Sequence, residues 1–133
     1  MTHRFRFAFC AAVLVAGCGS TDSANETLNP GLNEVLIGQT LTFAPAHLTV
    51  PVGTAVHWRN VGPFDHTVTS GLSSKAADGP GEEFDRVLGS GKEFDFTFDT
   101  VGDHPYFCRP HEPMGMKGVV TVLPADAPDA GDR

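Results

Sequence analysis

The segment Tyr106-Phe-Cys-Arg-Pro-His-Glu-Pro-Met-Gly-Met116 places a thiol, an imidazole and two thioethers within nine residues, from Cys108 to Met116. No other window of the chain concentrates so many soft metal ligands. Copper, which cycles between Cu(I) and Cu(II), accepts thiolate, imidazole and thioether together; two His, one Cys and a weak axial Met make the ligand set of electron-transfer copper sites. Cys108, His111 and Met116 follow the spacing C-x-x-H-x-x-x-x-M, so a loop leaving a strand can curl all three around one point. A second imidazole must then come from elsewhere. His66 is the best candidate, because it opens an expected strand directly after the turn Val61-Gly-Pro-Phe-Asp65.

The elements that must position these groups read as strands. Between about Glu34 and Leu123 apolar residues recur at period two, with turn residues every eight to twelve positions, which predicts a single all-β sandwich domain. Val35–Ile37, Leu41–Phe43, Leu48–Val50, Ala55–Trp58 and His66–Thr69 are the early strands. In the fourth of these, Val56 and Trp58 should face the core, with His57 and Arg59 facing out. Glu93-Phe-Asp-Phe-Thr-Phe-Asp99 alternates most clearly, with Phe94, Phe96 and Phe98 on one face. His104–Cys108 and Lys117–Leu123 should flank the ligand loop as neighbours, while Lys75–Gly91 has no assignable pattern. His47 reads as a turn residue, His57 as solvent-facing and His104 as a partly covered strand residue, none of them a ligand.

The amino-terminal end is expected to be an export signal. Arg4 and Arg6 precede the apolar run Ala8–Ala16, too short to span a bilayer. Val15-Ala-Gly-Cys18 resembles a bacterial lipoprotein box, which implies cleavage after residue 17 and lipid on Cys18. Gly19 in place of Asp points to an outer membrane where the organism has one. Residues 18–33 then form a flexible tether, 34–123 the working domain and 124–133 a disordered tail. Cys10 leaves with the signal and Cys18 is acylated, so Cys108 is the one free thiol, and ligation explains a lone thiol in an oxidising compartment. After residue 17 the chain carries seven basic and sixteen acidic side chains, a formal charge of −9. Nucleic-acid binding is disfavoured by that balance, which instead steers a positively charged partner. The run Glu82-Glu-Phe-Asp85 is read chiefly as solvated charge, with docking as the lesser reading.

The stretches Phe43-Ala-Pro-Ala-His-Leu-Thr-Val-Pro-Val-Gly53, Val56-His-Trp-Arg-Asn60, His66-Thr-Val68, Gly102–His111 and Gly115–Val122 together resemble the cupredoxins, the small blue copper proteins, and most closely their plastocyanin, pseudoazurin and halocyanin branch. The resemblance implies a Greek-key sandwich, one type 1 copper per chain, and His66, Cys108, His111 and Met116 as its ligands. Shorter-looped relatives place the methionine six residues after the cysteine, which makes Met114 the rival axial ligand. Two positions depart from the pattern. Asp65 stands where many members have Pro, and Thr67 where plastocyanin-like members have an Asn that ties the two ligand segments together, so a weaker tie is expected here. Arg109 adds a positive charge beside the cysteine, which on electrostatics alone favours Cu(I) and raises the potential.

The implied function is one-electron transfer in a monomer, with redox proteins such as a cytochrome or a membrane redox complex as partners and His111 as the exit edge among Pro110, Pro113, Met114 and Phe64. A copper chaperone or storage protein needs the same ligands in an exchangeable site and is the alternative. An enzyme is disfavoured, because all four coordination positions are filled and no second reactive constellation accompanies them.

Overall fold

The computed structural model describes residues 31–76 and 81–126. The signal segment, Cys18, most of the tether and the tail from 127 onward lie outside those residues. Nine strands form two sheets: β1 (Glu34–Ile37), β2 (Phe43–Ala44), β3 (His47–Pro51), β4 (Thr54–Asn60), β5 (His66–Ser70), β6 (Asp85–Leu88), β7 (Glu93–Phe98), β8 (Gly102–Phe107) and β9 (Lys117–Leu123). One sheet has the order β2-β1-β4-β7 and the other β3-β9-β8-β5-β6. β1 with β4 and β3 with β9 pair in parallel, and the remaining neighbours are antiparallel. The chain crosses repeatedly between the sheets, from β2 to β3, β3 to β4, β4 to β5, β6 to β7 and β7 to β8. This is the expected all-β Greek-key sandwich. No helix among the described residues is long and apolar enough to cross a membrane.

The core forms where the alternating strands turn their apolar faces inward. Val56 and Trp58 are fully buried, whereas His57 and Arg59 point outward from the same strand. Trp58 packs against Phe84, Phe94, Phe98 and Tyr106 at ring-centroid separations of 5.5–6.2 Å. Burying aromatic rings of this size dominates the energetics of a small core, with edge-to-face pairs adding about 0.5–1.5 kcal/mol each. Phe98 is buried, while Phe94 and Phe96 cover Phe84 at the margin.

Three details differ from the sequence reading. Lys75–Gly91 contains strand β6, which hides because it is an edge strand with only Leu88 buried; pairing with β5, not periodicity, makes it a strand. Leu41 has a positive φ of 51° and belongs to a turn, so β2 starts two residues later, at Phe43. His47 opens β3 instead of lying in a turn, because it pairs with Val119.

Gly118 is required by a close approach. Opposite it in the ladder lies Tyr106, and a Cβ at Gly118 would overlap the Tyr106 ring. That ring cannot retreat, being buried between Phe43 and Trp58. Gly118→Ala is expected to cost about 3 kcal/mol, the upper end of ordinary overpacking. Denaturant unfolding followed by the emission of Trp58, the one tryptophan, measures it; a loss under about 1 kcal/mol would show that the ring has room to move.

Candidate metal centre

Strand ends bring the ligands together. β8 and β9 pair as far as Phe107 opposite Lys117, so the loop 108–116 begins and ends at one closed rung. Cys108 N–H donates to the Met116 carbonyl at 3.1 Å, which sets the first and last candidate ligands side by side. Inside the loop, His111 N–H donates to the Cys108 carbonyl at 3.2 Å, and Met114 and Met116 N–H both donate to the His111 carbonyl. A 3₁₀ turn over Glu112–Met114 follows, started by Pro113 and stopped by Gly115 at a φ of 84°. The prolines and glycine thus fix the spacing that the sequence only made feasible.

The fourth group arrives through β5, which neighbours β8 in the sheet. His66 is its first residue, at the same end as Cys108. The His66 and His111 Nδ1 atoms lie 3.8 and 3.3 Å from Cys108 Sγ, and the ligand atoms of the three residues all fall within 4.8 Å of one another. Donors bound to one first-row ion at about 2.0–2.3 Å stand roughly 3–4 Å apart, so the three fit a single centre. Cys108 and Met116 have no solvent exposure and His66 only 1 %. His66 Nε2 is buried with no hydrogen-bond partner among the described residues. Burial, aided by the charge His111 can carry, lowers the pKa of His66 and keeps it neutral, the form that ligates metal.

Met116 is sealed inside this cluster's end of the core, whereas Met114 is 60 % exposed. His47, His57 and His104 do not join the group. His57 Nδ1 is 2.6 Å from Asp95, and His104 lies between the Glu83 carboxylate and the Thr100 carbonyl, more buried than its sequence suggested.

Thr67 makes the tie that its departure from the family pattern put in doubt. Its N–H donates to Cys108 Sγ at 3.3 Å and its Oγ1 accepts from Arg109 N–H at 2.8 Å. A hydroxyl therefore links the two ligand segments, and the sulfur receives the kind of hydrogen bond that tunes a copper thiolate. Arg109 is likewise not a bare charge, because its Nη2 pairs with Asp85 at 2.6 Å. Glu83 and Asp85, two of the three carboxylates in the acidic run, are thus paired internally with His104 and Arg109.

Two positioning residues were missed in the sequence. Asn60, fully buried, donates to the Phe64 and Leu88 carbonyls at 2.7 and 2.8 Å and accepts from Gly62 N–H at 3.0 Å. It shapes the turn that delivers His66. Glu112 accepts from Ser74 N–H and Oγ–H and lies 3.5 Å from Lys117, strapping the ligand loop to residues 72–76. A polar residue at a strand end before Gly-Pro hints at the first; nothing nearby in sequence hints at the second.

A buried thiol, two imidazoles and a sealed thioether on a two-sheet sandwich define a copper-binding electron carrier. Residues 31–123 match the model of copper binding proteins of the plastocyanin/azurin family, and the chain belongs to that family. Its relatives include the chloroplastic plastocyanin of Tetradesmus obliquus, 32 % identical over 127 residues that cover 88 % of this chain and 81 % of the relative. The plastocyanin of Scenedesmus fuscus is 34 % identical over 62 % of this chain and 87 % of its own. Among solved structures, a purple cupredoxin from Nitrosopumilus maritimus superposes with a TM-score of 0.58 at 25 % identity, covering 68 % of this chain and 98 % of that one. A mutant fern plastocyanin gives 0.57 at 27 % identity, over 68 % and 99 %. His66, Cys108, His111 and Met116 are positioned for a single copper ion, and members of the family are electron carriers, not enzymes.

Proposed function

We propose that this protein carries single electrons between redox partners outside the cytoplasm, through a mononuclear site of His66, Cys108, His111 and axial Met116. The observation that carries the reading is the convergence of three donor atoms within 4.8 Å beside a fully buried Met116. Bound copper would supply a one-electron couple. The residues supply fixed geometry: the β8–β9 rung holds Cys108 and Met116, the Asn60 turn holds His66, and the 3₁₀ turn holds His111. A frame that moves little between oxidation states opposes electron transfer least.

His111 is the one imidazole of the pair with partial exposure; Met114, three residues after it, and Phe64, two residues before His66, are 60 % and 58 % exposed. This apolar rim suits a brief, small docking contact, and the acidic balance of the chain favours a positively charged partner, a cytochrome or a membrane redox complex. The segment Val15–Cys18 supports export and a lipid anchor on Cys18 of an otherwise monomeric carrier. Intact-mass analysis of the exported protein tests the anchor.

Burial argues for a retained cofactor over an exchangeable one. Copper loaded one to one should resist stripping by a mild chelator; rapid loss as Cu(I) would favour the chaperone or storage role. Met116→Leu should shift the reduction potential and the visible spectrum while copper stays bound. Unchanged spectra in that variant would transfer the axial role to Met114.

A further inference from the structure

Thr67, Thr69, Asp85 and Arg109 form a closed ring of hydrogen bonds around the backbone next to Cys108. Arg109 N–H donates to Thr67 Oγ1 at 2.8 Å. The Thr67 and Thr69 hydroxyls are 3.1 Å apart, and Thr69 Oγ1 is 2.8 Å from Asp85 Oδ1. The carboxylate can only accept, and Thr69 has one hydroxyl hydrogen. Thr69 Oγ1 is therefore the donor on both sides, its one hydrogen shared between Asp85 Oδ1 and Thr67 Oγ1. Arg109 Nη2 and Nε close the ring on the same carboxylate at 2.6 and 3.3 Å. The Arg109 guanidinium, ahead of the opposing effect of burial, holds the Asp85 carboxyl below its usual range, so the ring keeps its charge over the working pH.

We propose that this ring is a further positioning device of the copper centre: it locks the ligand loop to β5 and β6 and cancels the Arg109 charge beside Cys108, thereby tuning the reduction potential. The ring joins three elements that the sequence keeps apart, β5, β6 and the ligand loop. All three threonine and aspartate side chains lie on β5 or β6, so their spacing is fixed by the ladder that pairs Thr69 with Asp85. Thr69, anchored on Asp85, holds the Thr67 hydroxyl where Arg109 N–H reaches it. Thr67 also aims its own N–H at Cys108 Sγ, so motion of Thr67 reaches the sulfur directly. The inference rests on the copper reading for its effect on potential, but not for the ring itself.

The test pairs two variants in the purified protein. Asp85→Asn leaves Arg109 positive and unpaired, so the reduction equilibrium constant should rise several-fold, with tenfold equal to about 59 mV. Asp85→Asn combined with Arg109→Gln should return the potential towards the starting value. Thr69→Val changes no charge and breaks the ring; amide exchange at Arg109 should accelerate in the metal-free protein, and the copper hyperfine splitting of the loaded protein should change. An unaltered potential in Asp85→Asn, or unaltered Arg109 exchange in Thr69→Val, overturns the proposal. A starting protein that binds copper without a blue band overturns the functional reading, while the exchange measurement on metal-free protein still decides whether the ring locks the loop.

Discussion

Replacing Cys108 by Ser is expected to abolish the intense visible band of the copper-loaded protein and to weaken copper binding at least a hundredfold. Cys108 is the one free thiol among the described residues, and its sulfur is the atom from which both Nδ1 positions are measured at under 4 Å. A charge-transfer band of that intensity needs a soft, covalent thiolate donor, and a serine oxygen is hard and stays protonated at neutral pH. The fold should survive. Ser is smaller than Cys, the Thr67 N–H keeps an acceptor, and the loop's backbone hydrogen bonds do not involve the sulfur. Colourless protein with native far-ultraviolet circular dichroism is the predicted result. A blue Cys108→Ser variant would mean that the chromophore lies elsewhere.

Asn60→Ala should be the most damaging single change outside the ligands. The side chain satisfies two buried carbonyls and one N–H, and leaving such groups unpaired costs about 1–3 kcal/mol each when water cannot replace the lost partner. Because Gly62 and Phe64 border the turn, part of that cost will be relieved by local movement, and a net loss of about 3–5 kcal/mol is expected. The same movement displaces His66, whose strand begins two residues after Phe64. Thermal unfolding should therefore fall sharply, and the residual folded protein should bind copper with an altered visible spectrum. A variant that loses under about 1 kcal/mol, or whose copper spectrum is unchanged, would show that the turn is held by its Gly-Pro geometry alone.

What the sequence made legible depended on local pattern. The triple-phenylalanine alternation of β7 and the strand from Lys117 to Leu123 stand where periodicity places them. Ligand chemistry was legible for the same reason, since Cys108, His111 and Met116 fall within one loop. Register was not legible. Thr67 meets Arg109 because β5 and β8 pair with Thr69 opposite Phe107, and two residues further along each strand the partners are 67 and 109. Asp85 reaches Arg109 from an edge strand whose residues carry no alternation of their own. Reading Arg109 as an uncompensated charge followed from seeing only its neighbours in the chain. Asn60 and Glu112 belong to the same class: each acts through partners whose nearness is created by folding.

On the proposed function, four side chains hold one copper ion as a reversible one-electron centre. Adding one equivalent of Cu(II) to the purified protein and recording its visible spectrum and voltammogram tests it directly. An intense blue band, saturating at one copper per chain, with a reversible one-electron wave is the predicted result. Pale Cu(II) binding without that band, or irreversible reduction with loss of the metal, would contradict it.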